Sequence, residues 1–142
     1  MSNKAPNYFF FLLGGLLSGV SFFSSIFIPL SILGHYFLIQ GLFHKNLKFG
    51  SLLPGWLFGF GFFITSMHWI VNPFLVYEEH KLLAPLVLII FPSLMGLFFV
   101  IPCILIKQFI NFQRINEFFF SKILLISFFI FISELLRSNI FG

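Results

Sequence analysis

The largest group of potential metal ligands in this sequence is formed by two histidines and two carboxylates, His68, Glu78, Glu79 and His80. Imidazole nitrogens and carboxylate oxygens are both common metal ligands in proteins. The spacing of these four residues matches no compact metal-binding signature, and a solvated loop explains Glu78-Glu79-His80 better. The sequence therefore predicts no metal site. His68 keeps a separate interest because it directly precedes Trp69 at a predicted lipid boundary.

A second pair of chemically capable residues, Glu134 and Arg137, lies near the end of the sequence. Residues three apart share a helix face, so the two side chains can form an ion pair. An unpaired charge at the centre of a membrane helix costs about 2.5–3.5 kcal/mol on insertion scales. Two interpretations stay open: a polar patch that faces a lipid head group or substrate, or a juxtamembrane pair that ends the helix. We count His68, Trp69, Glu134 and Arg137 as candidate lipid- or substrate-facing residues.

Cys103 is the one cysteine of the sequence, which excludes an internal disulfide and any multi-cysteine metal site. A nucleophilic cysteine needs an adjacent base, and no histidine or aspartate is predicted near Cys103 at membrane depth. We interpret Cys103 as structural. No residue of the sequence is predicted to be catalytic, and no cofactor is expected.

The composition sets the solvent in which these residues must be positioned. Of 142 residues, 59% are hydrophobic and 8% are charged, whereas roughly a quarter of the residues in soluble domains are charged. Such a chain cannot coat a soluble surface with polar groups, so most of its surface must face lipid. The net charge of +4 contains no basic cluster that would favour nucleic acid. We predict an all-α, polytopic membrane helix bundle that forms a single domain over residues 1–142, without a soluble catalytic domain.

Charged residues and prolines divide the sequence into about five transmembrane helices. Forty residues between Lys4 and Lys45 carry no Asp, Glu, Lys or Arg, and a span needs about 20 residues. Pro29 marks the turn between the first two helices, and Asn72-Pro73 is a predicted stop. The last helix requires the Lys122 side chain to reach the interface. The predicted helices lie near 8–27, 29–43, 52–72, 82–106 and 118–136.

The distribution of positive charge predicts the orientation of these helices. Five spans place six of the eight Lys and Arg residues on one side: Lys4, Lys45, Lys48, Lys107, Arg114 and Lys122. Lys81 and Arg137 fall on the other side, so the N-terminus should be cytoplasmic and the C-terminus outside. No small-residue cleavage site follows Lys4, so we expect the first helix to be retained. Trp56 and Trp69, about 20 Å apart along one helix, are predicted to approach opposite interfaces.

Small residues are spaced for close helix packing. Gly15 and Gly19 share one helix face, and so do Gly55 and Gly59. Such pairs let two helix backbones approach each other, either within one bundle or between two copies. We favour packing within the bundle over homodimerisation.

Several ordered segments resemble apolipoprotein N-acyltransferases. Gly55-Trp56-Leu57-Phe58-Gly59-Phe60-Gly61-Phe62-Phe63, followed by Met67-His68-Trp69-Ile70, resembles the signature of that family's third helix. The Ile28-Pro29-Leu30 break resembles the family's layout after its first helix. Ser133-Glu134-Leu135-Leu136-Arg137-Ser138 is similar to its Glu-x-x-Arg segment. The resemblance covers essentially the whole chain, in order.

The resemblance implies a multi-pass enzyme of the bacterial inner membrane. Such enzymes move a fatty acyl chain from a phospholipid to the N-terminal amine of diacylglyceryl-cysteine in an apolipoprotein. Their catalytic Glu, Lys and Cys belong to a nitrilase-like domain that follows the N-terminal helices. This sequence ends at Gly142, so none of its residues matches them. We expect a truncated or partial chain that is inactive alone. The implied partners are membrane phospholipid, an apolipoprotein substrate or a separately encoded nitrilase-like domain, with no nucleic acid.

A different class of function stays open beside this one. The chain could be a stand-alone small membrane protein that acts as a lipid-binding or interaction scaffold, or as a transporter subunit. A transporter should show ionisable residues at mid-membrane or an internal repeat. We expect neither, because the ionisable groups are assigned to predicted loops and helix ends.

Overall fold

The computed structural model describes residues 7–43, 50–112 and 119–141. Every regular element within these residues is helical, which confirms the predicted all-α membrane bundle. The six α-helices are α1 (Phe9–Val20), α2 (Ile28–Leu42), α3 (Leu52–Ser66), α4 (Asn72–Val76), α5 (Ala84–Phe112) and α6 (Phe119–Phe141). Three 3-10 helices lie between them, at Ser25–Phe27, His68–Val71 and Glu78–Leu83.

Two helical stretches of the described chain, Ser25–Leu42 and Glu78–Gln108, are long and apolar enough to cross a membrane. A third is present if the bent pair Leu52–Ser66 and His68–Val76 counts as one span, and Phe9–Val20 is a shorter apolar helix. These assignments rest on length and composition. The number of five spans and their orientation therefore stay predictions.

The first predicted helix, over 8–27, ends earlier than the sequence suggests. Helix α1 stops at Val20, and the chain becomes extended at Ser24. The Ser24 side chain accepts a hydrogen bond from the Ile26 backbone N–H at 3.4 Å, which starts a new helical turn. Pro29 lies in the first turn of α2. Backbone N–H groups in the first turn have no acceptor within the helix, so proline costs no hydrogen bond there. Pro29 thus begins a helix rather than breaking one.

The third predicted helix, over 52–72, is divided by a bend. Helix α3 ends at Ser66, and the following segment turns away by 63°. The Thr65 hydroxyl donates to the Gly61 carbonyl and the Ser66 hydroxyl to the Phe62 carbonyl, both at 2.8 Å. Side-chain hydroxyls that bond the carbonyls of the preceding turn often bend a helix. Pro73 then lies in the first turn of α4.

The bend shows that Trp56 and Trp69 do not lie along one straight helix, and their approach to opposite interfaces stays a prediction. The indole N–H of Trp56 donates to the Ser93 carbonyl of α5 at 3.0 Å, so Trp56 joins two helices. Trp69 lies beyond the bend and is 56% exposed. The segment from Leu52 to Asn72 is not a straight helix, and the hydrogen bonds of the Thr65 and Ser66 hydroxyls are the local reason.

Helix α3 lies at the centre of the bundle, between α1 and α5. Helix α2 packs mainly on α1, with a smaller contact to α3, and α6 packs on α5. Glycines allow the central contacts: a Cβ on Gly59 would lie 2.5 Å from the Gly96 carbonyl oxygen, and one on Gly61 would lie 2.6 Å from that of Leu12. Both predicted glycine pairs face other helices of the same chain, since a Cβ on Gly15 would overlap the Phe58 carbonyl oxygen and one on Gly55 would lie 2.8 Å from that of Phe99. The core is formed by Phe11, Leu38, Leu42, Phe58, Phe63, Met95, Phe99, Cys103, Ile106 and Ile126.

Lys107 is one of the six cations that the sequence places on the cytoplasmic side, and its side-chain contact is described. The Lys107 ammonium donates to the Leu42 carbonyl at 2.9 Å, which places this part of α5 beside the C-terminal end of α2. A cation at a helix C-terminus is favourable because the last carbonyls carry partial negative charge. Lys4, Lys45, Lys48 and Arg114 lie outside the described residues, so the charge asymmetry stays a prediction.

Replacing Trp56 with phenylalanine should lower the free energy of unfolding by about 1 kcal/mol, because the hydrogen bond to Ser93 is lost. The aromatic contact with Phe60, with ring centroids 5.6 Å apart, can be kept. Equilibrium unfolding of the purified chain in mixed micelles measures the change. Trp69→Phe is the matched control. Equal effects of the two substitutions would contradict this role for Trp56.

Candidate functional site

Two adjoining cavities are lined by residues of α2 and α6, and the first of them is also lined by residues of α3 and α5. We call the first, of about 550 Å³, the aromatic cavity, and the second, of about 930 Å³, the α2–α6 groove. Both volumes suit a small molecule or part of a lipid. His35, Ile130 and Glu134 line both cavities, so the two form one continuous candidate site.

The walls of the two cavities differ in their residues. The aromatic cavity is bordered mainly by rings and by the end of α3: Phe22, Phe62, Phe63, Ser66, Met67, Trp69, Phe99 and Arg137, besides the three shared residues. The groove has aliphatic and aromatic walls interrupted by uncharged polar groups: Ser31, Ile32, Tyr36, Ile39, Gln40, Phe43, Ile126, Ser127 and Phe131. Such a surface can hold a hydrocarbon chain along its length and a few polar groups at defined points.

The Glu134–Arg137 pair lies at the wall of the aromatic cavity. Arg137 donates from Nε at 2.9 Å and from Nη2 at 2.7 Å to the same carboxylate oxygen of Glu134. Its guanidinium carbon lies 5.9 Å from the centre of the Phe63 ring, within the range of a cation–π contact. Helix α6 continues to Phe141, so the pair does not end the helix. Of the two interpretations left open by the sequence, this geometry fits a polar patch on a cavity.

The other two sequence-predicted site residues, His68 and Trp69, follow the end of α3. Trp69 lines the aromatic cavity together with Glu134 and Arg137. His68 is not among the residues that line either cavity. Its ring stacks on Phe23, with centroids 4.8 Å apart, and its Nδ1 lies 3.0 Å from the Thr65 carbonyl oxygen. The structure therefore brings three of the four candidates to one cavity and leaves His68 on an exposed surface.

Sequence reasoning missed His35, which lies in the middle of α2 and borders both cavities. Its Nδ1 lies 2.8 Å from the Ser31 carbonyl oxygen and 3.3 Å from the hydroxyl of the fully buried Ser18. The expectation that ionisable groups lie only in loops and at helix ends is therefore wrong for this residue. The available signal was the spacing of Ser31 and His35, four residues apart within an otherwise apolar helix.

The residues first considered as metal ligands are spread over the surface. Glu78 pairs with Lys81 in the exposed 3-10 helix Glu78–Leu83, and the His80 ring lies 5.8 Å from that of Tyr77. Over 7–43, 50–112 and 119–141 no three His, Cys, Asp or Glu side chains come together as metal ligands. Cys103 is 1% exposed and belongs to the apolar core.

Comparison with known proteins places this arrangement in a family. The model of the family described as "Apolipoprotein N-acyltransferase N-terminal domain" matches residues 14–142. No curated protein and no solved structure matches the chain. The match includes α2, α3, α5 and α6, and with them every residue that lines the two cavities.

Proposed function

Because this chain belongs to the apolipoprotein N-acyltransferase N-terminal domain family, we propose that it is the membrane part of a lipoprotein N-acyltransferase. The reaction transfers a fatty acyl chain from a phospholipid to the N-terminal amine of diacylglyceryl-cysteine in a bacterial lipoprotein. The chain lies in the inner membrane as a multi-pass protein. Its catalytic nucleophile, acid and base come from a nitrilase-like domain, in the same polypeptide or encoded separately, so residues 1–142 alone are inactive.

The observation that carries this proposal is the α2–α6 groove. Apolar side chains such as Ile39, Ile126 and Ile130 line it over several turns of two helices. An acyl chain that leaves the surrounding lipid for this groove keeps an apolar environment, so entry has little desolvation cost. The groove would hold the chain in one place, and fixed positioning of a reacting group lowers the barrier of a transfer reaction.

Charge at one end of the groove supports the same assignment. Glu134 lines both the groove and the aromatic cavity, and its partner Arg137 lines the aromatic cavity. A guanidinium binds phosphate well, and a carboxylate accepts hydrogen bonds from an ammonium group. The pair therefore offers complementary contacts to a zwitterionic phospholipid head group while the acyl chain lies in the groove. Trp69, beside the pair, suits the interfacial region of a membrane.

The test is acyl transfer in reconstituted vesicles that contain phospholipid and a diacylglyceryl-cysteine peptide. We expect transfer when the chain is combined with a nitrilase-like acyltransferase domain and none with the chain alone. Filling the groove by Ile130→Trp should lower the rate at least tenfold, because the acyl chain and the indole compete for one space. Leu94→Trp, at a position 57% exposed on α5, is the matched control.

Two results would overturn the proposal. Transfer by residues 1–142 alone would show that the catalytic groups are in this chain. Equal rates for Ile130→Trp and Leu94→Trp would show that the groove takes no part in the reaction.

His35 gives a specific reason to consider a transporter subunit as the second candidate. Ionisable residues in the middle of a membrane helix often mark the path of a proton or ion. A transporter of this kind should release a pH gradient across vesicles, and His35→Leu should abolish that flux. A chain that leaves the gradient intact is not such a transporter.

A further inference from the structure

The hydrogen bonds of His35 fix which of its ring nitrogens is free for a ligand. Nδ1 lies 2.8 Å from the Ser31 carbonyl oxygen, and a carbonyl can only accept a hydrogen bond. A neutral imidazole has one proton, so that proton is on Nδ1. The Ser18 hydroxyl of α1 donates to the same Ser31 carbonyl at 3.4 Å and lies 3.3 Å from Nδ1. Nε2 is therefore left as a hydrogen-bond acceptor.

Packing holds this ring at the cavity wall. The edge of the ring meets Phe58, with centroids 5.3 Å apart and planes at 67°. Since Nδ1 is engaged by Ser31 and Ser18, Nε2 is the polar atom that His35 can offer to the groove and the aromatic cavity that it lines. A polar atom in a hydrocarbon environment is costly without a partner, so a ligand donor there has a strong effect on affinity.

The requirement for a donor selects among membrane lipids. The ester groups of an intact phospholipid contain only acceptor oxygens, which offer Nε2 no hydrogen bond. Removal of one acyl chain replaces an ester by a hydroxyl group, which is a donor. We propose that the His35 Nε2 atom, in the wall of the α2–α6 groove, binds the free hydroxyl of a single-chain lysophospholipid whose acyl chain lies in the groove.

This inference rests on the proposed function and extends it, because loss of one acyl ester is what acyl donation does to a phospholipid. At the glycerol backbone, His35 would distinguish the hydroxyl of the deacylated lipid from the ester of the intact donor by one hydrogen bond. The site would then retain or sense the lipid left after transfer. This role requires a binding contact and no further chemical step.

The experiment compares two lipids that differ in one proton donor. Lysophosphatidylcholine has a single hydroxyl and no other donor, and its O-methyl ether keeps the acyl chain and the head group. Both are brominated on the acyl chain, and every chain tested carries Trp56→Phe, so quenching of tryptophan fluorescence reports binding next to Trp69, which lines the adjoining cavity. Dissociation constants are measured on the full chain of residues 1–142 in nanodiscs.

We expect the chain that keeps His35 to bind the hydroxyl lipid roughly fivefold more tightly than its ether, the typical net effect of one hydrogen bond. His35→Leu should reduce this preference to less than twofold, and His35→Gln, which keeps an acceptor oxygen, should retain part of it. His80→Leu, in the exposed Glu78–Leu83 segment, is the histidine control and should keep the full preference.

Equal affinities of the chain that keeps His35 for the two lipids overturn the inference, whether or not the His35 variants fold. So does a full preference in a folded His35→Leu variant. Neither result affects the acyl-transfer test. Conversely, failure of that test with a retained hydroxyl preference would leave His35 as a lysophospholipid site in a protein of another function.

Discussion

Replacing Gly59 with valine is expected to lower the free energy of unfolding by about 3 kcal/mol, the upper part of the usual range for overpacking. A Cβ at this position would lie 2.5 Å from the Gly96 carbonyl oxygen and 2.7 Å from the Gly96 Cα. Both atoms belong to the backbone of α5, so no side chain can move away to make room. Helices α3 and α5 would have to separate along the central contact of the bundle.

The measurement is equilibrium unfolding of the purified chain in mixed micelles, followed by helical circular dichroism. Gly50→Asn is the matched glycine control. Gly50 has a φ of 58° and nothing within 4 Å of an added Cβ, and asparagine tolerates this left-handed conformation better than most residues. A Gly59→Val variant as stable as the Gly50→Asn variant would contradict the close α3–α5 packing.

Replacing Glu134 with leucine is expected to cost about 2 kcal/mol of stability, because it leaves Arg137 without the carboxylate that accepts two of its hydrogen bonds. The Arg137 side chain is 27% exposed and that of Glu134 is 39% exposed, so water cannot fully replace the lost carboxylate. The same substitution should weaken binding of a phospholipid whose head group carries an ammonium group, because the carboxylate that accepts hydrogen bonds from that group is lost.

The chain contains its own control for this prediction. Glu78 and Lys81 have the same three-residue spacing, but their side chains are 86% and 47% exposed. Exposed ion pairs contribute about 0–1 kcal/mol, so Glu78→Leu should change stability little. The mixed-micelle unfolding assay measures both variants. Equal losses for Glu134→Leu and Glu78→Leu would show that the position of the pair at the cavity has no energetic consequence.

Much of the architecture follows directly from the sequence because lipid imposes simple rules. Uncharged runs identify the apolar helices, and the glycine pairs predict where helices approach closely. The contacts of Gly59 with Gly96 and of Gly15 with Phe58 bear this out. The sequence did not predict where a helix ends within an uncharged run, as α1 does at Val20 and α3 at Ser66. The bend after α3 involves hydroxyl-to-carbonyl hydrogen bonds of Thr65 and Ser66, and the helical turn after α1 begins at Ser24, whose hydroxyl accepts from the Ile26 N–H.

The candidate site was predictable in part for a related reason. Glu134 and Arg137 are charged residues in an apolar helix, so their pairing could be inferred from spacing alone, and Trp69 was identified by its interfacial character. His68 was grouped with Trp69 because the two are adjacent. The bend after Ser66 instead directs His68 onto Phe23. His35 was missed because its partners, Ser31 and Ser18, are uncharged and one of them is on a different helix.

The measurement that tests the account most directly is photolabelling of the chain in vesicles by a phospholipid with a diazirine on its acyl chain. Labelled residues are identified by mass spectrometry as the mole fraction of the probe is raised. If the α2–α6 groove holds an acyl chain, labelling of Ile39 and Ile130 will saturate at low probe content and will be lost in an Ile39→Trp, Ile130→Trp double variant. Labelling of Leu86 and Leu94 on the exposed face of α5 will rise in proportion to the probe. Proportional, unsaturated labelling at all four positions would contradict the account, because the groove would then be ordinary lipid-facing surface.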